Sequence, residues 1–307
     1  MKKFILRFIV FLIAGYLVGE IVVRTNKLTS DVPQRFVDAN GIQKYILGQK
    51  GFYKGSDEPW KVNEYGWIGV NNINNRPNRV SIIGDSYIEN IMNPISCHQG
   101  YILQKLNENI DFFEAGRSGV TFIEAMEITK QLDSLKFDKH MLYISENDFE
   151  ESFSNSIRYD DRTQFDEANN SLLFGNLKSP GLKKTLYNAK FLYYLYNRFP
   201  LFVSKQNKGE VKENVNEEKE IYNYDSFNKL FKYCKSNYEL NKIILVFHPN
   251  TSSDITNFFI NIGMQCIILE KEPDESWDLN GGDGHWSCYG HQEVSKQITK
   301  QLQMFNF

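Results

Sequence analysis

Short apolar runs that stop abruptly at polar or glycine-bearing motifs constrain this chain more than any other feature. Residues 80–83 end at Gly84-Asp85-Ser86, residues 111–114 at Ala115-Gly116-Arg117-Ser118-Gly119, residues 140–144 at Ser145-Glu146-Asn147-Asp148, and residues 243–247 at His248-Pro249-Asn250. Residues 265–269 form a fifth run. Runs this short, bounded by turn signals, read as buried strands rather than helices. Helical patterns separate them, at 99–106, 121–132, 225–236 and 292–304. The second of these has Thr121 placed as N-cap and Glu124 three residues later, a capping-box spacing. Strands alternating with helices predict a mostly five-stranded parallel sheet covered on both faces, a three-layer α/β/α sandwich. In such sheets the strand ends converge on one rim, where ligands bind.

The N-terminus differs in kind. After Lys2 and Lys3, residues 4–23 are apolar except for Arg7 and Glu20. Twenty helical residues span about 30 Å, enough for a bilayer core. Both charges lie near the ends, where side chains can reach headgroups. Residues 1–25 are expected to be an uncleaved signal-anchor. That would place the rest of the chain in the periplasm or outside the cell. A cleaved signal peptide and a buried amphipathic helix are the competing readings. Residues 26–79 read as a polar lead-in packing on a domain of residues 80–307. An insertion at about 149–223 interrupts that domain. It carries an aromatic helix candidate at 186–199, expected to pack as core, and a charged, solvated stretch at 205–220.

The chain has 307 residues and a net charge of −3, which argues against a general nucleic-acid binder. Four cysteines, at 97, 234, 266 and 288, form no zinc pattern. Disulfides are possible outside the cytoplasm, but the sequence does not say which, and idle thiols are an equal alternative.

Ser86 follows a strand, and Asp283 and His285 follow the last one. A serine hydroxyl becomes a nucleophile when a base takes its proton, and a histidine base works best when a carboxylate holds its tautomer. Taken singly, each residue has a plainer reading: Ser86 as a helix N-cap, Asn147 and Asp148 as a turn or cap, His285 as a loop histidine. His248 is the rival base. His291 reads as structural.

With these motifs in hand, the chain resembles the SGNH hydrolases, the GDSL-like family whose blocks supply Ser, Gly, Asn and His. The matching residues are Gly84-Asp85-Ser86, then Gly116, then Asn147-Asp148, and then Asp283 with His285, over roughly 80–303. Two departures stand out. Ser145 occupies the place of the family's usual glycine, and Asp-x-His replaces the more familiar Asp-x-x-His. The resemblance implies a flavodoxin-like sandwich, Ser86 as nucleophile, His285 as base and Asp283 as its orienting carboxylate. It also implies an oxyanion hole made by the backbone N–H groups of Ser86 and Gly116 and the side-chain amide of Asn147. Asp85, Arg117 and His248 are candidate substrate contacts. No cofactor or metal is expected. By analogy with membrane-anchored family members, the expected reaction removes or adds O-acetyl groups on a cell-surface carbohydrate. The alternative is a non-catalytic carbohydrate-binding or polysaccharide-assembly protein on the same scaffold. A nucleotide-binding domain is disfavoured, because no glycine-rich phosphate loop follows the first strand.

Overall fold

A computed structural model describes residues 1–56, 58–71, 73–74, 76–199, 224–270, 275–279 and 284–305. Its elements run α1 (Lys2–Thr25), β1 (Arg35–Val37), β2 (Gln43–Tyr45), β3 (Lys50–Phe52), β4 (Pro59–Lys61), β5 (Asn78–Gly84), α2 (Ser86–Glu89), α3 (Gln99–Leu106), β6 (Ile110–Gly116), α4 (Phe122–Leu132) and β7 (Lys139–Ile144). They continue with α5 (Glu146–Glu150), β8 (Gln164–Asp166), β9 (Ser171–Leu173), α6 (Pro180–Asn188), α7 (Lys190–Arg198), α8 (Tyr224–Asn237), β10 (Ile243–Phe247), α9 (Ser253–Asn261), β11 (Gln265–Ile268) and α10 (Cys288–Leu302).

The expected parallel sheet is present, in the order β11-β10-β7-β5-β6. Residues of its strands alternate between two cores. Ile83, Phe113, Leu142 and Leu245 face Ile123, Leu230 and Phe259 of α4, α8 and α9. Ile82, Phe112, Met141 and Val246 face Leu103, Val294 and Ile298 of α3 and α10. Burial on both faces explains why these strands read as nearly unbroken apolar runs. Counted in chain order, the sheet runs 2-1-3-4-5, and its direction of winding reverses between β5 and β7. That reversal opens a crevice at the carboxyl ends of the two strands. Ser86 and Ser145 lie there.

The lead-in is more ordered than its polar composition indicates. It forms two small hairpins, β1–β2 and β3–β4. Ile42 and Trp67 join the same core as Ile83 and Phe113, and Tyr45, Trp60 and Ile68 form a satellite cluster. The insertion brings the hairpin β8–β9, whose Phe165 is buried against the α4 side. The aromatic helix expected at 186–199 is two helices broken at Ala189. Its stripe is not core. Phe191, Tyr193 and Tyr194 are half-buried and Tyr196 is exposed, so that expectation is corrected. The charged stretch 205–220 lies outside the described residues. Cys97 and Cys288 form a disulfide across 191 positions, while Cys234 and Cys266 are free.

Candidate active site

Ser86 is placed by local structure. β5 stays buried to its end, and Asp85 caps α2 by accepting a hydrogen bond from Tyr87 N at 3.1 Å. Ser86 is therefore the first residue of α2. Gly84 is needed at the turn, because a Cβ there would stand 2.7 Å from Ile88 Cγ1.

His285 comes from a loop. Leu279 N donates to its carbonyl at 2.7 Å, Ser287 N donates to Trp277 O at 2.5 Å, and Asp278 bridges Trp286. Tyr87 Oη donates to Gly284 O at 2.6 Å, and Asn93 Nδ2 donates to Trp286 O at 2.9 Å. Three residues after His285, Cys288 is bonded to Cys97. These restraints bring His285 Nε2 to 3.0 Å from Ser86 Oγ. That is hydrogen-bond distance between a hydroxyl and the base that would take its proton. Asp283 lies outside the described residues.

Asn147 is exposed on α5 at the same rim, and its side-chain amide makes no hydrogen bond among the described residues. Ser145, in the position of the family's glycine, has a local task. Its backbone N and Oγ both donate to the Asp148 carboxylate, at 2.7 and 2.9 Å, which closes a capping box at the start of α5. Burial, reinforced by the charge of Asp85, holds the Asp148 carboxyl well above the usual carboxylate range.

Gly116 does not sit where an oxyanion donor must. It is the buried last residue of β6 and bridges Ile68 antiparallel, in register with the Glu114 N to Val70 O hydrogen bond at 2.9 Å. Its missing side chain makes room for α2, since a Cβ there would stand 2.4 Å from Glu89 N and 2.6 Å from Ile88 C. The glycine is explained by helix-on-strand packing, not by access of its N–H to a substrate. A second glycine, Gly119, lies on the loop after β6. It is half-buried, has φ +75°, and its N–H makes no hydrogen bond among the described residues. The positive φ is the local signal for it, because only glycine adopts this conformation freely.

That loop is braced from several sides. Ser118 N donates to Glu89 Oε2 at 3.2 Å, and Ser118 O accepts from Arg35 Nη2 at 3.0 Å and from Arg117 Nη1 at 3.1 Å. Tyr45 Oη donates to Glu89 Oε1. Burial raises the Glu89 carboxyl, against the pull of Arg35, Tyr45 and Arg117. Arg117 was a candidate substrate contact. It is 0% exposed, and its Nη2 pairs with Glu124 Oε1 at 2.6 Å, so it braces the loop and meets no ligand.

Asp85 and His248, the other two candidate contacts, are both half-buried. Together with Tyr87, Tyr143, Asp148 and Trp286 they line a cavity of only 10 Å³, about the size of one water. His248 stacks on Trp286 with ring centroids 5.4 Å apart, and burial pushes its pKa down to about 4. The lowered pKa makes His248 the weaker base, and it is His285 whose Nε2 lies within reach of Ser86 Oγ. His291 is buried and its Nδ1 meets Gln99 Nε2 at 3.0 Å, the structural place expected of it. A larger cleft of 310 Å³ lies beside Ser118 and Glu89, between the lead-in and α6. Gln34, Arg35, Asp161 and Tyr187 are among its lining residues.

No protein-family model and no curated protein matches the chain. Solved structures do. A member of the lipolytic protein G-D-S-L family from Veillonella parvula shares 8% identity at a TM-score of 0.38, over 74% of this chain and 99% of that one. The psychrotrophic esterase EstA from Pseudoalteromonas sp. shares 11% identity at a TM-score of 0.41, over 74% of this chain and 97% of that one. Likeness at this level assigns no residue a role.

Proposed function

We propose that this chain is a serine-dependent acyl-ester hydrolase or acyltransferase. The observation that carries the reading is the 3.0 Å contact between Ser86 Oγ and His285 Nε2 at the rim of a parallel sheet. His285 takes the Ser86 proton as Oγ adds to the ester carbonyl. The negative oxygen that results is met by the Ser86 N–H at the start of α2, the Gly119 N–H and the Asn147 amide. Donors aimed at developing charge typically contribute about 3 kcal/mol each to lowering the barrier. The tetrahedral intermediate collapses, the C–O bond to the alcohol breaks, and His285 returns the proton to the leaving oxygen. Water or an acceptor hydroxyl then attacks the acyl-enzyme by the same steps in reverse. Asp283 is the proposed partner that orients His285.

The proposed substrate is an O-acetylated carbohydrate. The support is the cleft beside Ser118, which pairs polar side chains such as Gln34 and Asp161 with the ring of Tyr187. Such a lining can hydrogen-bond and stack on a sugar. The test measures acetate release from p-nitrophenyl acetate and from acetylated xylan, with Ser86→Ala and His285→Ala beside the unaltered chain. Turnover lost in both variants is expected. Turnover unchanged in either would sink the site. Turnover of the small ester alone would retain the chemistry and overturn the carbohydrate.

A further inference from the structure

α7 does not pack into the sandwich; it docks against the last turns of α1. Glu20 accepts hydrogen bonds from Lys190 N at 3.1 Å and Phe191 N at 2.7 Å. These are first-turn amides of a helix that lacks a side-chain cap of its own. A carboxylate from α1 thus serves as the missing cap. Arg24 Nη2 donates to Asn188 O at 2.5 Å, and the Phe191 ring lies on Gly19, where a Cβ would be 2.7 Å away. Lys190 Nζ completes the joint by pairing with Asp31 at 2.5 Å.

α1 itself is 24 residues long and apolar enough to cross a membrane, and that window of it is not buried in the protein. With residues 4–23 in hydrocarbon, positions 16–20 lie about 5–10 Å inside its edge at 1.5 Å per residue. This is the depth at which helices lying in a bilayer interface rest. α7 is fastened at that level. It exposes Leu192 and Tyr196 by 47 and 53%, the Phe199 that follows it by 57%, and α6 exposes Leu182 by 72%. Exposed cations accompany them, at Lys183, Lys184 and Arg198. Between α7 and residues 28–30, which follow α1, a groove of 360 Å³ is lined by Ser30, Lys54, Tyr193, Tyr194 and Arg198. Two cations with hydroxyl donors suit a phosphate headgroup.

We infer that α6 and α7 form a platform lying on the bilayer that α1 enters, with anionic phospholipid headgroups seated beside Lys54 and Arg198. The inference rests on α1 inserting and is independent of the serine chemistry. Apolar side chains beside interfacial tyrosines and basic residues are the composition such a surface needs.

The test uses the full chain in vesicles of equal parts phosphatidylcholine and phosphatidylglycerol. Single cysteines replace Leu12, Leu192, Tyr196 or Ile260, and each carries a polarity-sensitive fluorophore. Nitroxide lipids, labelled near the headgroup or near the chain terminus, quench it. Circular dichroism reports folding of each variant. The expected result is deep quenching at Leu12→Cys, several-fold stronger shallow quenching at Leu192→Cys and Tyr196→Cys than at Ile260→Cys, and a loss of that difference in Glu20→Gln. Quenching at Leu12→Cys, with the α7 positions behaving like Ile260→Cys, would overturn the platform and leave α7 to water or another protein. No quenching at Leu12→Cys would overturn it at its root, in α1.

Discussion

Ser86 and His285 meet at 3.0 Å but are held there by different means. Ser86 inherits its position from three consecutive residues, a buried strand end and a capped helix start. His285 sits on a loop fixed by partners distant in sequence: Tyr87, Asn93, the 277–279 segment and the Cys97–Cys288 link. One half of the site is a local motif. The other is a clamp assembled from the whole fold, and it should be the half that fails first under stress.

The largest expected effect tests whether the two halves act as one unit. Ser86→Ala and His285→Ala should each reduce kcat for ester hydrolysis by about 10⁴-fold or more, and the double variant should cost little beyond either alone. Additive losses would separate them. Next comes the clamp. Reducing the disulfide, or replacing both cysteines by Ser, should lower stability in urea by about 2–4 kcal/mol. It should also slow hydrolysis in the remaining folded protein, whereas Ser86 should keep its place. An unaltered rate would show that the loop needs no covalent closure. Asn147→Ala should lower kcat by about 10²-fold with little change in KM, as expected of a donor that acts on developing charge. Tyr45→Phe removes one support of Glu89 and should cost about 1–2 kcal/mol in stability, read from the denaturation midpoint.

The smallest effect concerns Asp148. Its raised carboxyl means that the folded chain binds a proton more tightly than the unfolded one. Stability from this group should therefore fall as pH rises above the unfolded carboxyl value of about 3.9, through its higher folded value. Asp148→Asn should flatten that slope while Asn147 stays presented at the rim. A slope of the opposite sign would refute the assigned direction.

What the sequence made legible follows the same division. The five strands were readable because burial on both faces leaves uninterrupted apolar runs, and Gly84-Asp85-Ser86 was readable because strand end, cap and nucleophile are contiguous. The disulfide was not, because pairing across 191 positions depends on how α3 and α10 pack. Gly116 and Gly119 share one motif, and only the end of β6 distinguishes the glycine that admits α2 from the one with positive φ. The hairpins of the lead-in escaped notice because three-residue strands show almost no alternation. Asn-rich and charged neighbours also mask Tyr45 and Trp67. Arg117 looked available because arginine usually is; only the fold reveals Glu124 opposite it.

A single apolar helix joined to its domain by a loose linker would leave that domain free to swivel. The Glu20 carboxylate across two amides of α7, with Phe191 resting on Gly19, removes that freedom. α6, which packs on α7 across the break at Ala189, also walls the cleft beside Ser118. One side of that cleft is therefore built from the same pair of helices that is fastened to α1.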